Sequence, residues 1–295
     1  MISIVITSFK EPDTIGQAIE SIINQKIDYD YELIVSAPDL ETLMVAKEYK
    51  KEDYRIKLFK DPGKGKSYAL NLIFKKLRGK VFILTDGDVY MSDSSINAIM
   101  EHFKDEKVGC VTGRPVPQED KKDQYGYWAN FLFDAAHDLR KGLYDSERFL
   151  ECSGYLWAFR NGVVKDLPLD VAEDTVMPYF FWEKGYKIGY EENAKVYVKN
   201  VDNWEDWLKQ KIRTSKAHET LGKYVDLNVA EKTKSFSNES KGIKYLFTYP
   251  NNLKEFYWTL KLIVARFNMW ARVFYDTKMA GKRYTDAWER VDSTK

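Results

Sequence analysis

Residues 81–88 have the sequence Val-Phe-Ile-Leu-Thr-Asp-Gly-Asp, in which a short apolar run ends at two aspartates that flank a glycine. Such an uninterrupted apolar run is typical of a strand buried on both faces of a parallel sheet. Glycine lets the backbone come close to a ligand, and carboxylate oxygens are the ligands that Mg²⁺ and Mn²⁺ prefer. The stretch therefore predicts a buried strand that ends in a metal site at Asp86 and Asp88. A plain Asp-Gly turn is the alternative.

Strands and helices alternate on either side of this stretch. Residues 2–7 and 32–36 are further short apolar runs, a helical stripe covers residues 12–23, and Ser67 can cap another helix. This alternation predicts an α/β fold with a doubly wound, mostly parallel sheet. Later in the chain, strands are expected at residues 154–160 and 196–199, and helices at residues 203–222 and 251–275.

Each of the first predicted strands ends in a segment that carries polar or acidic side chains. These segments are Thr7-Ser8-Phe9 with Glu11 at the first strand, Asp39 after the second, and Asp86-Gly87-Asp88 after the third. In a doubly wound sheet, ligands bind beyond the carboxyl ends of the strands. We therefore expect these groups to meet at one edge of the sheet.

A glycine- and lysine-rich loop, residues 61–67, lies between the second and third of these strands. Two lysines beside a helix N-terminus predict an anion site, because charge and unpaired backbone N–H groups coincide there. The spacing is not that of a phosphate-binding Walker A loop, and an exposed basic loop is an equal alternative.

The bulk composition restricts the function classes. The chain has 295 residues and a net charge of +1, which argues against nucleic acid as the main partner. Residues 241–295 contain 11 Lys and Arg against 5 Asp and Glu, or +6, which leaves −5 for residues 1–240. Two cysteines, without a signal peptide or an apolar segment of about 18 residues, predict a cytoplasmic protein.

The second half of the chain carries two further candidate sites. Glu173-Asp174 precedes a helical run, where a carboxylate could be a general base or merely favourable first-turn charge. In Trp204-x-x-Trp207-x-x-Gln210-x-x-Arg213, the arginine suits a diphosphate and the tryptophans suit either a sugar or the core. His218 follows this motif and is a candidate metal ligand, with an ordinary structural histidine as the alternative.

The ordered set of motifs over residues 1–222 resembles the family 2 glycosyltransferases of GT-A fold. In chain order, the matching motifs are Thr7-Ser8-Phe9 with Glu11, Ser36-Ala37-Pro38-Asp39, Gly65-Lys66-Ser67 with Ala69-Leu70-Asn71, Asp86-Gly87-Asp88, Ser153-Gly154, Ala172-Glu173-Asp174 and Gln210-x-x-Arg213. The resemblance implies an inverting enzyme that uses a nucleotide sugar and a divalent cation, Mn²⁺ or Mg²⁺.

The resemblance also implies a role for each matched position. Residues expected to bind the nucleotide sugar are Thr7, Ser8, Phe9, Glu11, Asp39, Lys66, Asp86, Gly87 and Asp88. Asp174 would be the catalytic base, assisted by Glu173, Gln210 and Arg213. The acceptor would contact Glu173, Ser153, Gly154 and Trp207, and the metal would bind Asp86, Asp88 and His218.

Departures from the family pattern narrow the expected activity. Thr214 follows Arg213, whereas processive synthases of the family have tryptophan there, and the transmembrane helices of those synthases are not apparent. We expect transfer of one or a few sugars from a UDP-sugar, or alternatively a GDP-sugar, to a carbohydrate or lipid-linked acceptor. A sugar-phosphate nucleotidylyltransferase and a catalytically silent binding subunit are the alternatives.

The predicted domain division places a catalytic domain at residues 1–202 and a helical extension at residues 203–295. Within the extension, Leu253, Phe256, Leu260, Ile263, Phe267, Trp270 and Phe274 recur every three or four positions, interspersed with Lys and Arg. This pattern predicts either a helix packed on the catalytic domain or one lying on the cytoplasmic face of a membrane. The oligomeric state is left open.

Overall fold

The computed structural model describes residues 1–216, 218, 220–226 and 245–279. Parts of the predicted helical extension, residues 227–244 and 280–295, lie outside the described residues. The strands are β1 Ile2–Thr7, β2 Tyr31–Ala37, β3 Ile56–Lys60, β4 Val81–Asp86, β5 Val89–Met91, β6 Val108–Pro117, β7 Leu156–Arg160 and β8 Lys187–Val198. The helices are α1 Ile15–Ile23, α2 Leu40–Glu52, α3 Lys66–Phe74, α4 Ser95–His102, α5 Gln124–Asp145, α6 Glu173–Glu183, α7 Trp204–Lys216, α8 Tyr245–Thr248 and α9 Leu253–Phe274.

The eight strands form one sheet in the order β3-β2-β1-β4-β7-β6-β8-β5. Strands β1, β2, β3, β4, β6 and β8 run in one direction, and β5 and β7 run in the other. Apolar clusters lie on both faces of the sheet, because the central strands are buried on both sides. The prediction of an α/β fold with a mostly parallel sheet and C-terminal helices is confirmed.

The register of the central strands brings their carboxyl ends level. Thr7 of β1 pairs with Ser36 of β2 on one side and with Asp86 of β4 on the other. The polar groups that follow these strands therefore start from one edge, as the sequence predicts.

Three strands were missed by the sequence analysis, and one was predicted too short. β5 has only three residues, too few to show a strand pattern. β3 is an edge strand with the sequence Ile-Lys-Leu-Phe-Lys, in which the lysines interrupt the apolar run that would predict a strand. β6 contains two glycines and two prolines, residues that ordinarily mark turns, and its pairing shifts register between Gly113 and Arg114. β8 begins at Lys187 rather than near residue 196, because its middle is polar.

The C-terminal helices form a third apolar cluster. Trp258, Leu262 and Met269 of α9 are buried together with Trp128 of α5 and Trp207 of α7. Trp128 donates its indole N–H to the carbonyl oxygen of Trp258 at 2.8 Å. The predicted helix at residues 203–222 ends at Lys216, and Leu221–Lys223 form a separate 3₁₀ turn. Within the described residues, no helix combines the length and apolarity that crossing a bilayer would require.

Two leucines on α9 test this packing. Leu262 is 2 % exposed and Leu260 is 46 % exposed. We expect Leu262→Ala to lower the free energy of unfolding by about 2–5 kcal/mol, because it leaves a cavity between α9 and its neighbours. Leu260→Ala should change it by no more than about 0.5 kcal/mol. Urea unfolding measures both, and equal losses would contradict the observed orientation of the helix.

Candidate active site

A buried lysine connects two of the predicted acidic positions. Lys66 Nζ lies 2.7 Å from Asp86 Oδ1 and 2.9 Å from Glu173 Oε1. Thr7 donates its hydroxyl to the same Asp86 oxygen at 2.9 Å. Four predicted site residues, from β1, α3, β4 and α6, are thus joined by direct contacts at the carboxyl edge of the sheet.

The local backbone explains how Lys66 reaches this position. Gly65 has φ of 104°, a conformation that favours glycine, and α3 begins directly after it at Lys66. The side chain of Lys66 is only 14 % exposed. Burial would lower the pKa of Lys66, but the negative charges of Asp86 and Glu173 outweigh burial and raise that pKa well above its usual value. The ammonium group therefore stays charged.

Gly87 allows the loop after β1 to approach the aspartates. A Cβ atom at Gly87 would lie 2.4 Å from Ser8 Oγ and 2.6 Å from Glu11 Oε2. Ser8 donates its hydroxyl to Glu11 at 2.6 Å, and Gly87 donates its N–H to the carbonyl oxygen of Thr7 at 2.9 Å. The glycine in Asp86-Gly87-Asp88 is therefore required by close contact, not only by a turn.

Tyr155 was missed by the sequence analysis, although it directly follows the predicted Ser153-Gly154. Its burial raises the pKa of its phenol, and so do the negative charges of Asp88, Asp86 and Asp174, whereas Arg213 acts in the opposite sense. These four charged groups come from different parts of the chain, and all lie near one phenol. The only sequence signal was an aromatic residue next to a predicted motif.

The first turn of α6 carries Glu173 and Asp174. A Cβ atom at Gly154 would lie 2.9 Å from Asp174 Oδ2, so the absence of a side chain there lets the carboxylate come close to β7. The N-terminal end of a helix also stabilises negative charge. Ser153, which precedes Gly154, is buried and donates its N–H to Thr112 Oγ1 at 2.9 Å.

A second pair of carboxylates lies beyond β2 and β3. Asp39 caps α2 by accepting from the N–H of Thr42 at 2.9 Å, and it also accepts from the N–H of Lys10 at 2.8 Å. Burial alone would raise the pKa of Asp39, but these hydrogen bonds lower it. Asp61 is 3 % exposed and accepts from Ser36 and Gly63. Burial raises the pKa of Asp61, and the charge of Asp39 adds to that effect.

Asp61 had no individual role in the sequence analysis. Its place in a loop of glycines and lysines suggested only an anion site. The structure instead gives a buried carboxyl group, beside Ser36, on the edge where Asp39 lies. Asp61 directly follows β3, which pairs with β2. It could have been identified only if β3 had been recognised as a strand.

Trp207 and His218, two of the predicted site residues, contact side chains outside the predicted site. Trp207 is 3 % exposed and packs between Trp128 and Trp204, with ring centroids 5.2 and 5.5 Å away. The buried His218 places Nε2 2.9 Å from Glu151 Oε2. Gln210 and Arg213 both lie on α7. Arg213 lies close enough to the phenol of Tyr155 to lower its pKa, in opposition to the aspartates.

Asp86 and Asp88 are the candidate ligands for a divalent cation at this edge. No group of three or more His, Cys, Asp and Glu side chains is arranged to hold a metal within the described ranges. Mg²⁺ commonly uses only one or two carboxylates, with waters and substrate phosphates as its other ligands. Asp88 lines an open cavity of about 510 Å³ together with Thr14, Gln17, Tyr90, Gln118, Tyr197 and Lys199. Two hard carboxylates from one turn fit a cation whose coordination is completed by the substrate.

Fold and site together define an α/β protein of the GT-A type. The sequence matches the family model "Glycosyl transferase family 2" over residues 3–167, and the chain belongs to this family. The chain is 23 % identical over 231 residues to the probable glycosyltransferase YdaM of Bacillus subtilis (strain 168). That match covers 74 % of this chain and 55 % of the relative, so the chain spans about half the length of that protein.

Solved structures share the fold at low sequence identity. One is the mannosyltransferase PcManGT from Pyrobaculum calidifontis in complex with GDP-Man and Mn²⁺, with a TM-score of 0.60 and 14 % identity, covering 95 % of this chain and 80 % of that one. Another is S. aureus TarS 1–349 in complex with UDP-GlcNAc, with a TM-score of 0.50 and 12 % identity, covering 99 % of this chain and 95 % of that one.

A matched pair of lysine variants tests the buried ion network. Lys66→Met should lower the free energy of unfolding by about 3–5 kcal/mol, because it leaves Asp86 and Glu173 without their cation. Lys75, at the end of α3, forms only an exposed pair with Asp166 at 3.7 Å. Lys75→Met should therefore change stability by no more than about 1 kcal/mol.

The pH dependence separates loss of charge from loss of packing. Because the pKa of Lys66 is raised in the folded protein, its charge stabilises the fold fully below the ordinary lysine pKa of about 10.4, and this contribution is lost as pH rises toward the raised pKa. The deficit of Lys66→Met should therefore be constant from neutral pH to about pH 10 and shrink above it. Urea unfolding at neutral and alkaline pH measures this deficit, and a deficit that does not change with pH would mean that Lys66 acts through packing alone.

Proposed function

We propose that the protein is an inverting glycosyltransferase that moves a sugar from a nucleotide sugar to an acceptor hydroxyl or lipid phosphate. The observation that carries this proposal is the gathering of Asp86, Asp88, Asp174 and Arg213 around Tyr155, with Lys66 between Asp86 and Glu173. A site of several carboxylates with two cations suits a diphosphate-linked donor and a reaction that needs a base. Family membership favours glycosyl transfer over nucleotidyl transfer.

The donor would lie along the carboxyl edge of the sheet. Asp39, and with it Asp61, would accept from the N–H groups of the base, and residues 7–11 would hold the nucleoside. We propose a UDP-sugar as the donor. A GDP-sugar is the alternative, because uracil and guanine both present N–H donors to a carboxylate. Related folds are seen with GDP-Man in one protein and with UDP-GlcNAc in another.

A divalent cation, Mn²⁺ or Mg²⁺, would be held by Asp88 and Asp86. When bound, it would neutralise charge on the donor diphosphate. Lys66 would leave its present partners in part and approach the phosphates, and Arg213 would stabilise the negative charge of the departing nucleotide.

Asp174 would act as the general base. Its carboxylate takes the proton from the acceptor hydroxyl, whose oxygen attacks the anomeric carbon from the face opposite the nucleotide. A new carbon–oxygen bond forms, the bond to the diphosphate oxygen breaks, and its electron pair leaves with the nucleoside diphosphate. Glu173, on the same helical turn, would orient Lys66 and the acceptor.

The proposed function also includes an acceptor site and a position at the membrane. Ser153 and Gly154 border Asp174, so an acceptor would be bound there, and Gln210 would assist it from α7. Trp207 would affect acceptor binding only indirectly, because its buried side chain supports α7 from within the core. His218 would be a further metal ligand through its buried Nδ1, which has no hydrogen-bond partner among the described residues, while its Nε2 is paired with Glu151. We also propose that the enzyme works at the cytoplasmic face of a membrane, where a lipid-linked acceptor would be present.

We further propose that residues 1–202 form the catalytic domain and residues 203–295 a helical extension. The apolar cluster that α7 and α9 form with α5 attaches this extension to the catalytic domain. Because Arg213 belongs to α7, the extension would also complete the catalytic site.

An Asp174→Asn variant tests the proposed base. After a screen of UDP- and GDP-sugars against glycosides and polyisoprenyl phosphates has identified an active pair, the rate of nucleotide diphosphate release measures transfer. We expect Asp174→Asn to reduce this rate by about 10²–10⁴-fold and to keep donor affinity, because only proton removal is lost.

Asp166→Asn is the matched control, since Asp166 is exposed, pairs with Lys75 at the surface and has no role in the proposed mechanism. It should transfer at the wild-type rate. Near-normal turnover by Asp174→Asn would remove Asp174 from the mechanism. Nucleotide binding by the wild type without turnover of any donor would favour the catalytically silent subunit.

A further inference from the structure

Among the described residues, helix α9 packs one apolar face against its neighbours and leaves a second apolar face exposed. On the inner face, Trp258, Leu262, Ala265, Met269 and Val273 are buried against α5 and α7. Tyr127 and Thr259 share a buried hydrogen bond of 2.6 Å across the same contact. This inner stripe repeats every three or four residues and attaches the helix to α5 and α7.

The outer face of α9 is apolar and exposed to solvent. Leu253, Val264, Phe267 and Phe274 are 88, 68, 67 and 63 % exposed, respectively. At about 100° per residue, the exposed residues lie on an arc of roughly 120° that is opposite the buried stripe. The outer face comprises Leu253, Phe256, Tyr257, Leu260, Ile263, Val264, Phe267, Phe274 and Tyr275.

An apolar stripe of this length is unusual on a surface that stays in water. Isolated exposed apolar residues are common, but contiguous patches generally mark an interaction site. The helix spans 22 residues, or about 33 Å, and exposed apolar residues occur from its first turn to its last. The stripe therefore fits a partner whose surface is apolar and flat over the whole length of the helix.

The charges beside the stripe indicate what this partner is. Lys254, Lys261 and Arg272 fall on one margin of the outer face, and Arg266 falls on the other. Lys261 donates to the side-chain oxygen of Gln124 at 2.9 Å, and Lys254 donates to the carbonyl oxygen of Lys122 at 3.4 Å. Glu255 is the one acidic residue in the sequence of α9. Apolar residues bordered by cations match a bilayer, whose acyl region is bordered by phosphates.

We propose that the outer face of α9 binds the surface of an anionic phospholipid bilayer. The helix lies parallel to the membrane plane, with Phe267 and its neighbours at the boundary between headgroups and acyl chains. Lys254, Lys261 and Arg272 contact the lipid phosphates. The aromatic rings of Tyr257 and Tyr275 suit this boundary, because one end of each ring is apolar and the other is polar.

This orientation brings the active site close to the lipid. The inner face of α9 packs on α7, the helix that carries Arg213, and Ser215 of α7 donates to the sulfur of Met269 at 3.2 Å. Lys216 also pairs with Asp276, just after α9, at 2.5 Å. Insofar as it concerns a lipid-linked acceptor, this inference rests on the proposed glycosyltransferase function.

Vesicle flotation of the full chain tests the proposal. The wild type should float with vesicles of phosphatidylcholine and phosphatidylglycerol, and float less with phosphatidylcholine alone or at high salt. Val264→Glu, Phe267→Glu should abolish flotation, because both side chains would place charge in the acyl boundary. Met44→Glu, Tyr54→Glu changes two exposed residues away from α9 and should float like the wild type.

A charge variant tests the basic margin. Lys254→Gln, Lys261→Gln should weaken binding to the anionic vesicles roughly tenfold or more. Lys47→Gln, Lys50→Gln, on the exposed side of α2, removes the same charge elsewhere and should have little effect. Equal losses from the two pairs would indicate attraction by net charge alone and overturn the assignment to α9.

Other outcomes would also overturn the proposal. They are a wild type that does not float, outer-face variants that float normally, and a wild-type dimer that dissociates in Val264→Glu, Phe267→Glu without any vesicle binding, since a second copy would then cover the face. Transfer to a water-soluble acceptor separates this proposal from the enzymatic one. It should be unchanged in the outer-face variant, whereas failure of the proposed function would abolish transfer in the wild type.

Discussion

The site depends on one buried ammonium group held between two carboxylates. Asp86 ends a central strand and Glu173 begins a helix far along the chain, and Lys66 forms an ion pair with both. Without this cation, two negative charges would face each other where solvent is largely excluded, which is costly in a protein interior.

Two glycines give the site its close geometry. Gly87 lets the loop after β1 reach the aspartates, and Gly154 lets Asp174 approach β7. In both places an added Cβ atom would clash with an oxygen of a polar side chain. The spacing of the carboxylates therefore depends as much on absent side chains as on the acidic residues.

The central sheet and the acidic motifs could be predicted from sequence because their signals are local. Val81–Asp86 is an uninterrupted apolar run, and the polar residues after β1, β2 and β4 meet because parallel strands end at one edge. Tyr155 and Asp61 could not be predicted in this way. Their importance comes from neighbours distant in sequence, and β6 was hidden by glycines and prolines that a register shift accommodates. Likewise, the single apolar pattern seen in α9 resolves into a packed face and an exposed face only once α5 and α7 are in place.

Nucleotide binding is the most direct test of the central claim that these carboxylates form a metal and diphosphate site. Calorimetric titration of UDP and of GDP, each with and without Mn²⁺, should show binding of one nucleotide that requires the metal and is lost in Asp88→Ala. Binding that is equally strong without Mn²⁺, or unchanged in Asp88→Ala, would contradict the account.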